Sequence, residues 1–233
     1  MIVLGVDSSA TSASAAIFKD NVLLSEVYSD TGLTHSQTLL PMIDNCMKMA
    51  NVTAGDIDLI AISNGPGSFT GVRIGLATVK GIAFTKNIPC VEVSTLEGLA
   101  HNVSCFCGVI CSVMDARCNQ VYTAFFETDD ACKVSRLSDD EAISIDELGE
   151  KIKKIDKSVI LVGDGAKICY DKLKTEGDNL FIAPENVRKQ RASSVALCSL
   201  TKQTKSASEI AVNYIRLPQA QRELTKKQSL KKN

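Results

Sequence analysis

The residues with the most obvious capacity for chemistry form one run, Asn64-Gly65-Pro66-Gly67-Ser68-Phe69-Thr70-Gly71-Val72-Arg73-Ile74-Gly75. Glycines between a strand and a helix expose backbone N–H groups, and these together with the helix dipole can hold an anion. The spacing matches no standard phosphate loop. A P-loop needs Lys-Ser/Thr after its last glycine, and here Val72-Arg73 follow Gly71. In the dinucleotide fingerprint the third glycine would stand one residue earlier than Gly71. A nucleophile elbow would need glycine where Pro66 precedes Ser68. Two readings remain: a phosphate or nucleotide contact at Gly65 and Gly67, or a tight strand-to-helix turn with no ligand.

Asp7-Ser8-Ser9 ends the first apolar run, where ligands of open α/β sheets collect, so Asp7 and Ser8 are candidates to face a metal–phosphate. Asp and Ser also bond their own backbone in turns, which is the plainer account. Gly163-Asp164-Gly165 follows a later strand and offers Gly163 and Gly165 as a second contact. Metal and base chemistry are thin. His35 and His101 are the two histidines, and the position four after His35 is Leu39, so no imidazole pair shares that face. Cys105, Cys107 and Cys111 fall on one side of an extended segment, too far apart to chelate one ion; small buried residues is the expectation.

These residues need elements to hold them. Runs 2–6, 15–18 and 22–28 read as strands, with Lys19-Asp20-Asn21 as a hairpin turn. A helix at 36–50, a strand at 57–63, a helix at 72–84 and a strand at 90–93 follow, and Ser94 with Glu97 makes a capping box for the next helix. The second half repeats this order: strands at 109–114, 121–127 and 133–137, a helix after Ser144 and Glu147, a strand at 159–162, a helix, a strand at 181–182 and a helix at 192–202. Three strands followed by alternating helix and strand, twice, predict a duplicated two-lobe α/β fold with lobes at 1–104 and 105–210 and a tail at 211–233.

The helices at 36–50 and 72–84 are apolar nearly all round; Asp44, Lys48, Arg73 and Lys80 are their charged residues. A sheet covers one face of a helix, so a second surface must cover the other, and a partner protein is the economical candidate beside the second lobe.

With 233 residues, 45% apolar and 23% charged, the chain has the composition of a globular protein, and a net charge of −1 argues against a body built mainly to hold nucleic acid. From Arg216 onward six Lys/Arg face one Glu, and Lys226, Lys227, Lys231 and Lys232 are candidates to touch RNA phosphate. Nine scattered cysteines without a CxxC predict free thiols in a reducing cytosol. The first residues lack a signal-peptide pattern and no apolar run approaches a membrane span.

Taken together, Gly5-Val6-Asp7-Ser8-Ser9, His35-Ser36-Gln37-Thr38-Leu39-Leu40-Pro41-Met42-Ile43, the glycine run, Val93-Ser94-Thr95-Leu96-Glu97, Met114-Asp115-Ala116-Arg117, Gly163-Asp164-Gly165 and Tyr214-Ile215-Arg216-Leu217-Pro218-Gln219-Ala220 resemble the TsaB (YeaZ-like) family. That resemblance implies an actin-like/Hsp70-like (ASKHA) fold with mixed sheets flanked by helices. It further implies a cytoplasmic, non-catalytic subunit for threonylcarbamoyl modification of adenosine 37 in tRNAs reading codons that begin with A. Such a subunit binds and activates a TsaD-like catalytic subunit, is joined by a TsaE-like ATPase, pairs with itself through the same helices, and meets tRNA indirectly. TsaD-type proteins hold a metal with two histidines on the helix matching 36–50; this chain has His35 alone there, so no catalytic residue and no metal ligand carry over. The partner surface does, at His35, Leu39, Leu40, Ile43, Met47, Val72, Leu76 and Val79. No cofactor follows firmly; ATP or ADP with magnesium stays open at the level of the complex. The alternative is an actin-like enzyme acting alone, a kinase or ATPase using Asp7 and Gly163-Asp164-Gly165, or a peptidase.

Overall fold

The opening apolar run becomes the central strand of a sheet. In the computed structural model, which describes residues 1–175 and 179–216, Ile2–Asp7 (β1) pairs antiparallel with Ala13–Lys19 (β2) and parallel with Leu59–Gly65 (β4). Val22–Ser29 (β3) and Cys90–Ser94 (β5) extend it to the order β3-β2-β1-β4-β5. Asp20 and Asn21 close the β2–β3 hairpin at positive φ, the two-residue turn whose twist suits right-handed strands. His35–Met49 (α1) and Phe69–Phe84 (α2) cover one face of this sheet. Leu39, Ile43 and Cys46 of α1 and Val72, Leu76 and Val79 of α2 are buried there against Leu4, Ile17, Ile60 and Ile62.

The second half repeats the plan. Val109–Asp115 (β6), Gln120–Thr128 (β7), Val134–Arg136 (β8), Val159–Val162 (β10) and Leu180–Ile182 (β11) take the order β11-β10-β6-β7-β8, and Glu141–Ser144 (β9) adds to β7. Ile145–Ile152 (α4) and Ala166–Leu173 (α5) cover its outer face through Ile145, Leu148, Ala166 and Cys169. Ser144 caps α4 by accepting from the Glu147 N–H at 3.1 Å.

One helix from each half changes sheets. Thr95–His101 (α3) follows the first sheet and lays Leu96, Leu99 and Ala100 on Ile110, Met114 and Phe126 of the second. Ala192–Ser199 (α7), which follows the second sheet and the short helix Glu185–Arg188 (α6), lays Ala192, Val195 and Ala196 on Val3, Phe18 and Val91 of the first. These two helices also pack on each other. Each sheet is therefore buried on both faces, which is why its central strands read as unbroken apolar runs. This is the duplicated two-lobe α/β arrangement, two mixed sheets flanked by helices.

One expectation needs correction. Cys105 and Cys107 are exposed, because the strand starts at Val109 and both lie in the turn after α3; Cys111, on β6, is buried. After α7 the chain returns to the first lobe, where Lys205 bridges to Cys90 and Ile210 enters the core. The lysines of the tail and Leu217-Pro218-Gln219-Ala220 lie outside the described residues. Among the described residues no helix is long and apolar enough to cross a membrane.

Candidate functional site

The glycine run folds onto the end of β1, and its glycines are explained by that contact. A Cβ at Gly67 would stand 2.3 Å from the Ser9 carbonyl oxygen, one at Gly71 2.1 Å from the Ser8 carbonyl oxygen, and one at Gly75 2.4 Å from Ser8 Oγ. No side chain fits such distances, so the glycines let α2 approach the β1–β2 turn. Ser8 Oγ donates to the Gly71 carbonyl at 2.9 Å, the Ser68 N–H to the Ser9 carbonyl at 2.6 Å, and the Gly71 N–H to Ser68 Oγ at 3.2 Å. His35 closes the same corner, its Nε2 donating to the Ala10 carbonyl at 2.8 Å. Gly65 takes φ +118 with its open side 2.7 Å from the Asn213 carbonyl oxygen.

Asp7 is buried inside this corner. Its carboxylate accepts from the Ser9 N–H at 2.9 Å, Ser9 Oγ at 2.8 Å and Ser63 Oγ. Burial pushes its pKa up, and those donors pull it back. Asp7 and Ser8 hold the turn together and do not line the cleft between the lobes.

That cleft, about 500 Å³, is lined from the first lobe by Ser9, Thr11, Gly67, Ser68 and Phe69 and from the second by Asp115, Arg117, Tyr122 and Asp164. Asp164 stands between Gly163 and Gly165, and Gly165 donates its N–H to the Val113 carbonyl at 3.1 Å. Burial pushes Asp164 up to about 6, the Gln190 amide at 3.1 Å pulls it back, and the Asp115 carboxylate raises it further. So Gly67 and Asp164 come together across one cleft, while Asp7 and Ser8 stand behind it. Two carboxylates, Asp115 and Asp164, stand on the cleft wall, and the N–H groups of Ser9, Ser68 and Gly71 in the turn are already donated within the protein, so these three are not available to a phosphate.

The two apolar helices divide by face. Leu39, Ile43, Val72, Leu76 and Val79, five of the predicted partner-facing residues, are buried in the first lobe's own core. His35 and Met47 are half-buried, and Leu40 stands out at 56% exposed. The outward side carries Leu40, Pro41, Ala77, Gly81 and Phe84, the last 82% exposed. A Cβ at Gly81 would meet nothing within 4 Å.

Comparison with known proteins now decides the family. The model of the family "TsaD: tRNA N6-adenosine threonylcarbamoyltransferase" matches residues 27–231. The "tRNA threonylcarbamoyladenosine biosynthesis protein TsaB" of Bacillus subtilis is 28% identical over 225 residues, covering 95% of this chain and 96% of that one. Its counterpart in Buchnera aphidicola subsp. Schizaphis graminum is 31% identical over 182 residues, covering 77% and 84%. The chain belongs to the TsaB family. A solved YeaZ structure from Pseudomonas aeruginosa shares the fold, with a TM-score of 0.75 at 22% identity over 91% of this chain and 99% of that one. Membership in the TsaB family, related to TsaD, links the chain to threonylcarbamoyladenosine formation in tRNA.

Several residues that shape these TsaB-family surfaces escaped the sequence reading. Phe84 is the last residue of α2, and Gly81 and Ala77 look like ordinary small helix residues; the outward phase of the helix had to be known first. Arg73 donates Nε to the Tyr214 hydroxyl at 2.7 Å, a contact between residues 141 apart that no local pattern announces. Asp115 enters the sequence reading only within Met114-Asp115-Ala116-Arg117, and Tyr122, inside β7, carries no motif at all.

Proposed function

We propose that the chain is a non-catalytic, cytoplasmic subunit of the threonylcarbamoyl-adenosine machinery. In this reading it binds and activates a TsaD-like catalytic subunit through the outward face of α1 and α2, with a TsaE-like ATPase joining the pair. The modification then falls on adenosine 37 of tRNAs reading codons that begin with A. The observation that carries the reading is the unpartnered apolar ridge of Leu40, Pro41, Ala77, Gly81 and Phe84 on a chain of this family. Exposing Phe84 and Leu40 to water has no return inside the monomer, since the sheet already takes Leu39, Ile43, Leu76 and Val79. Gly81 leaves the ridge low at its centre, so that another helix can lie close. The same ridge would serve a homodimer in the partner's absence.

Two residues support a non-catalytic role. His35 spends its Nε2 on the Ala10 carbonyl, and His101 is half-buried on α3, with burial pushing its pKa down. The test is to mix the folded chain with its cognate TsaD-like protein and measure mass in solution by light scattering. A heterodimer at micromolar concentration is expected, and Phe84→Asp abolishes it. Two folded proteins that stay apart would refute the reading. Deleting the chain from cells is expected to remove threonylcarbamoyladenosine from tRNA.

A further inference from the structure

Among the described residues the arginines fall into two sets. Arg136, Arg188 and Arg191 pair with carboxylates: Arg136 with Asp140 at 2.6 Å, Arg188 with Glu185 at 2.6 Å and Arg191 with Glu26 at 2.9 Å. Arg73, Arg117 and Arg216 pair with no carboxylate of the described residues, and all three gather at the mouth of the inter-lobe cleft. Two of them lie on aromatic rings there. The Arg73 guanidinium stands 3.5 Å over Phe69 and 5.7 Å from Tyr214, and Phe69 and Tyr214 are 5.4 Å apart. The Arg216 guanidinium stands 5.6 Å over Tyr122 and donates to Gln120, so the chain's last described residue spans from the first lobe to the second. Arg117 lines the cleft with Phe69 and Tyr122.

From this the geometry points to a binding surface for single-stranded RNA across the cleft mouth. The guanidinium groups meet its phosphates, and Phe69, Tyr122 and Tyr214 offer faces on which bases stack. Cations without carboxylate partners, interleaved with partly exposed aromatic rings, suit a ligand that alternates phosphate with flat bases. A metal-free nucleotide inside the cleft fits worse, because Asp115 and Asp164 would face its phosphates. The choice of RNA over DNA rests on the functional reading above; the surface itself does not, and it is separate from the α1–α2 ridge.

The test uses the full chain and a fluorescein-labelled single-stranded RNA of about ten nucleotides, a length one such groove accommodates. Anisotropy titrations over a range of salt give affinity and its salt slope. Arg73→Gln, Arg117→Gln and Arg216→Gln are each expected to weaken binding and reduce the slope by about 0.7, the contribution of one phosphate contact to a single strand. Tyr214→Leu is expected to weaken binding on the order of tenfold with the slope kept, while Tyr214→Phe retains most of it. Lys48→Gln removes the same charge from exposed α1 and is expected to change nothing, with thermal unfolding confirming that each variant folds. Equal losses from Lys48→Gln, inorganic polyphosphate binding as tightly as RNA, or ATP binding without RNA binding would overturn the proposal. None of these results depends on pairing with the catalytic subunit, so failure here leaves that reading standing, and the reverse.

Discussion

Helices α1–α2 of the first lobe and α4–α5 of the second occupy the same place in a duplicated plan, and their outer faces have opposite chemistry. On α4 and α5 the exposed positions hold Asp146, Glu147, Glu150, Lys167, Asp171 and Lys172 around a single exposed Ile168, joined in pairs such as Glu150 with the cap residue Lys153 at 2.9 Å and Lys172–Asp146 at 2.6 Å. That is a solvated face, and each such pair adds little stability. On α1 and α2 the exposed positions include the apolar or small Leu40, Pro41, Ala77, Gly81 and Phe84 beside Gln37, Asn45, Lys48 and Arg73, with Lys48–Asp44 as the one ion pair within that helix pair among the described residues. Folding asks the same of both helix pairs, an apolar stripe against a sheet, and both supply it. A clustered apolar ridge is not something folding asks for; it stands on the first lobe, where it is the surface proposed for a partner, whereas α5 exposes Ile168 among charged residues.

The largest effect expected from this contrast is on pairing. Phe84→Asp or Leu40→Asp should weaken binding to the catalytic subunit on the order of 100-fold, the scale of a central hot-spot residue, while leaving the folded monomer intact. Ile168→Asp, at the most exposed apolar position of α5, should leave it unchanged. Calorimetry with the three variants checks both halves, and equal effects from Phe84 and Ile168 would erase the distinction between the lobes.

The inner faces give the next contrast. Gly71→Ala on α2 sets a Cβ against the Ser8 backbone at 2.1 Å, whereas Gly149→Ala on α4 meets only the end of the Leu173 side chain at 2.7 Å. Backbone cannot step aside and a leucine methyl can. Gly71→Ala should cost about 1–3 kcal/mol in urea unfolding, and Gly149→Ala less than about 1 kcal/mol.

How much of this was legible follows from what each signal depends on. The Asp20-Asn21 turn and the caps at Ser94 and Ser144 are local, and they stand where the sequence places them. Strand β9 and helix α6 are four residues each and carry no periodicity to find. The exchange of α3 and α7 between sheets depends on packing alone. The phase of α1 and α2 failed for a sharper reason. A helix apolar on every side has no direction written into it, so Leu39 and Leu40 look alike although one is fully buried and the other 56% exposed. The property that suggests these helices as a docking surface also hides which of their residues face outward.

The strand-to-helix turns of the two lobes differ in charge. The second carries Asp164 where the first carries Pro66. With its folded pKa at about 6, above the ordinary Asp value, Asp164 binds a proton more tightly folded than unfolded. The neutral form then stabilises the fold below the unfolded pKa near 4, and that contribution is lost as pH rises through about 6. Asp164→Asn should therefore be more stable than the parent at pH 8, by about 1–2 kcal/mol, with the two converging by pH 4. Thermal unfolding across that range measures it. A parent whose stability rises from pH 4 to 7 while the variant's stays flat would place the charged form as the favoured one.

The smallest effect separates fold from function most cleanly. Gly81 lies within α2 with open space where a Cβ would go, so nothing in the monomer needs it to be glycine. Glycine inside an exposed helix stretch costs up to about 1 kcal/mol relative to alanine, through backbone entropy. Gly81→Ala should then raise stability by about 0.5–1 kcal/mol in urea unfolding. If the low centre of the α1–α2 ridge is where a partner helix lies close, the same methyl should weaken pairing severalfold, and Gly81→Leu should weaken it more while still folding. A variant that gains stability and keeps full affinity would show that the ridge docks elsewhere along its length, toward Leu40 or Phe84, and would move the contact without removing it.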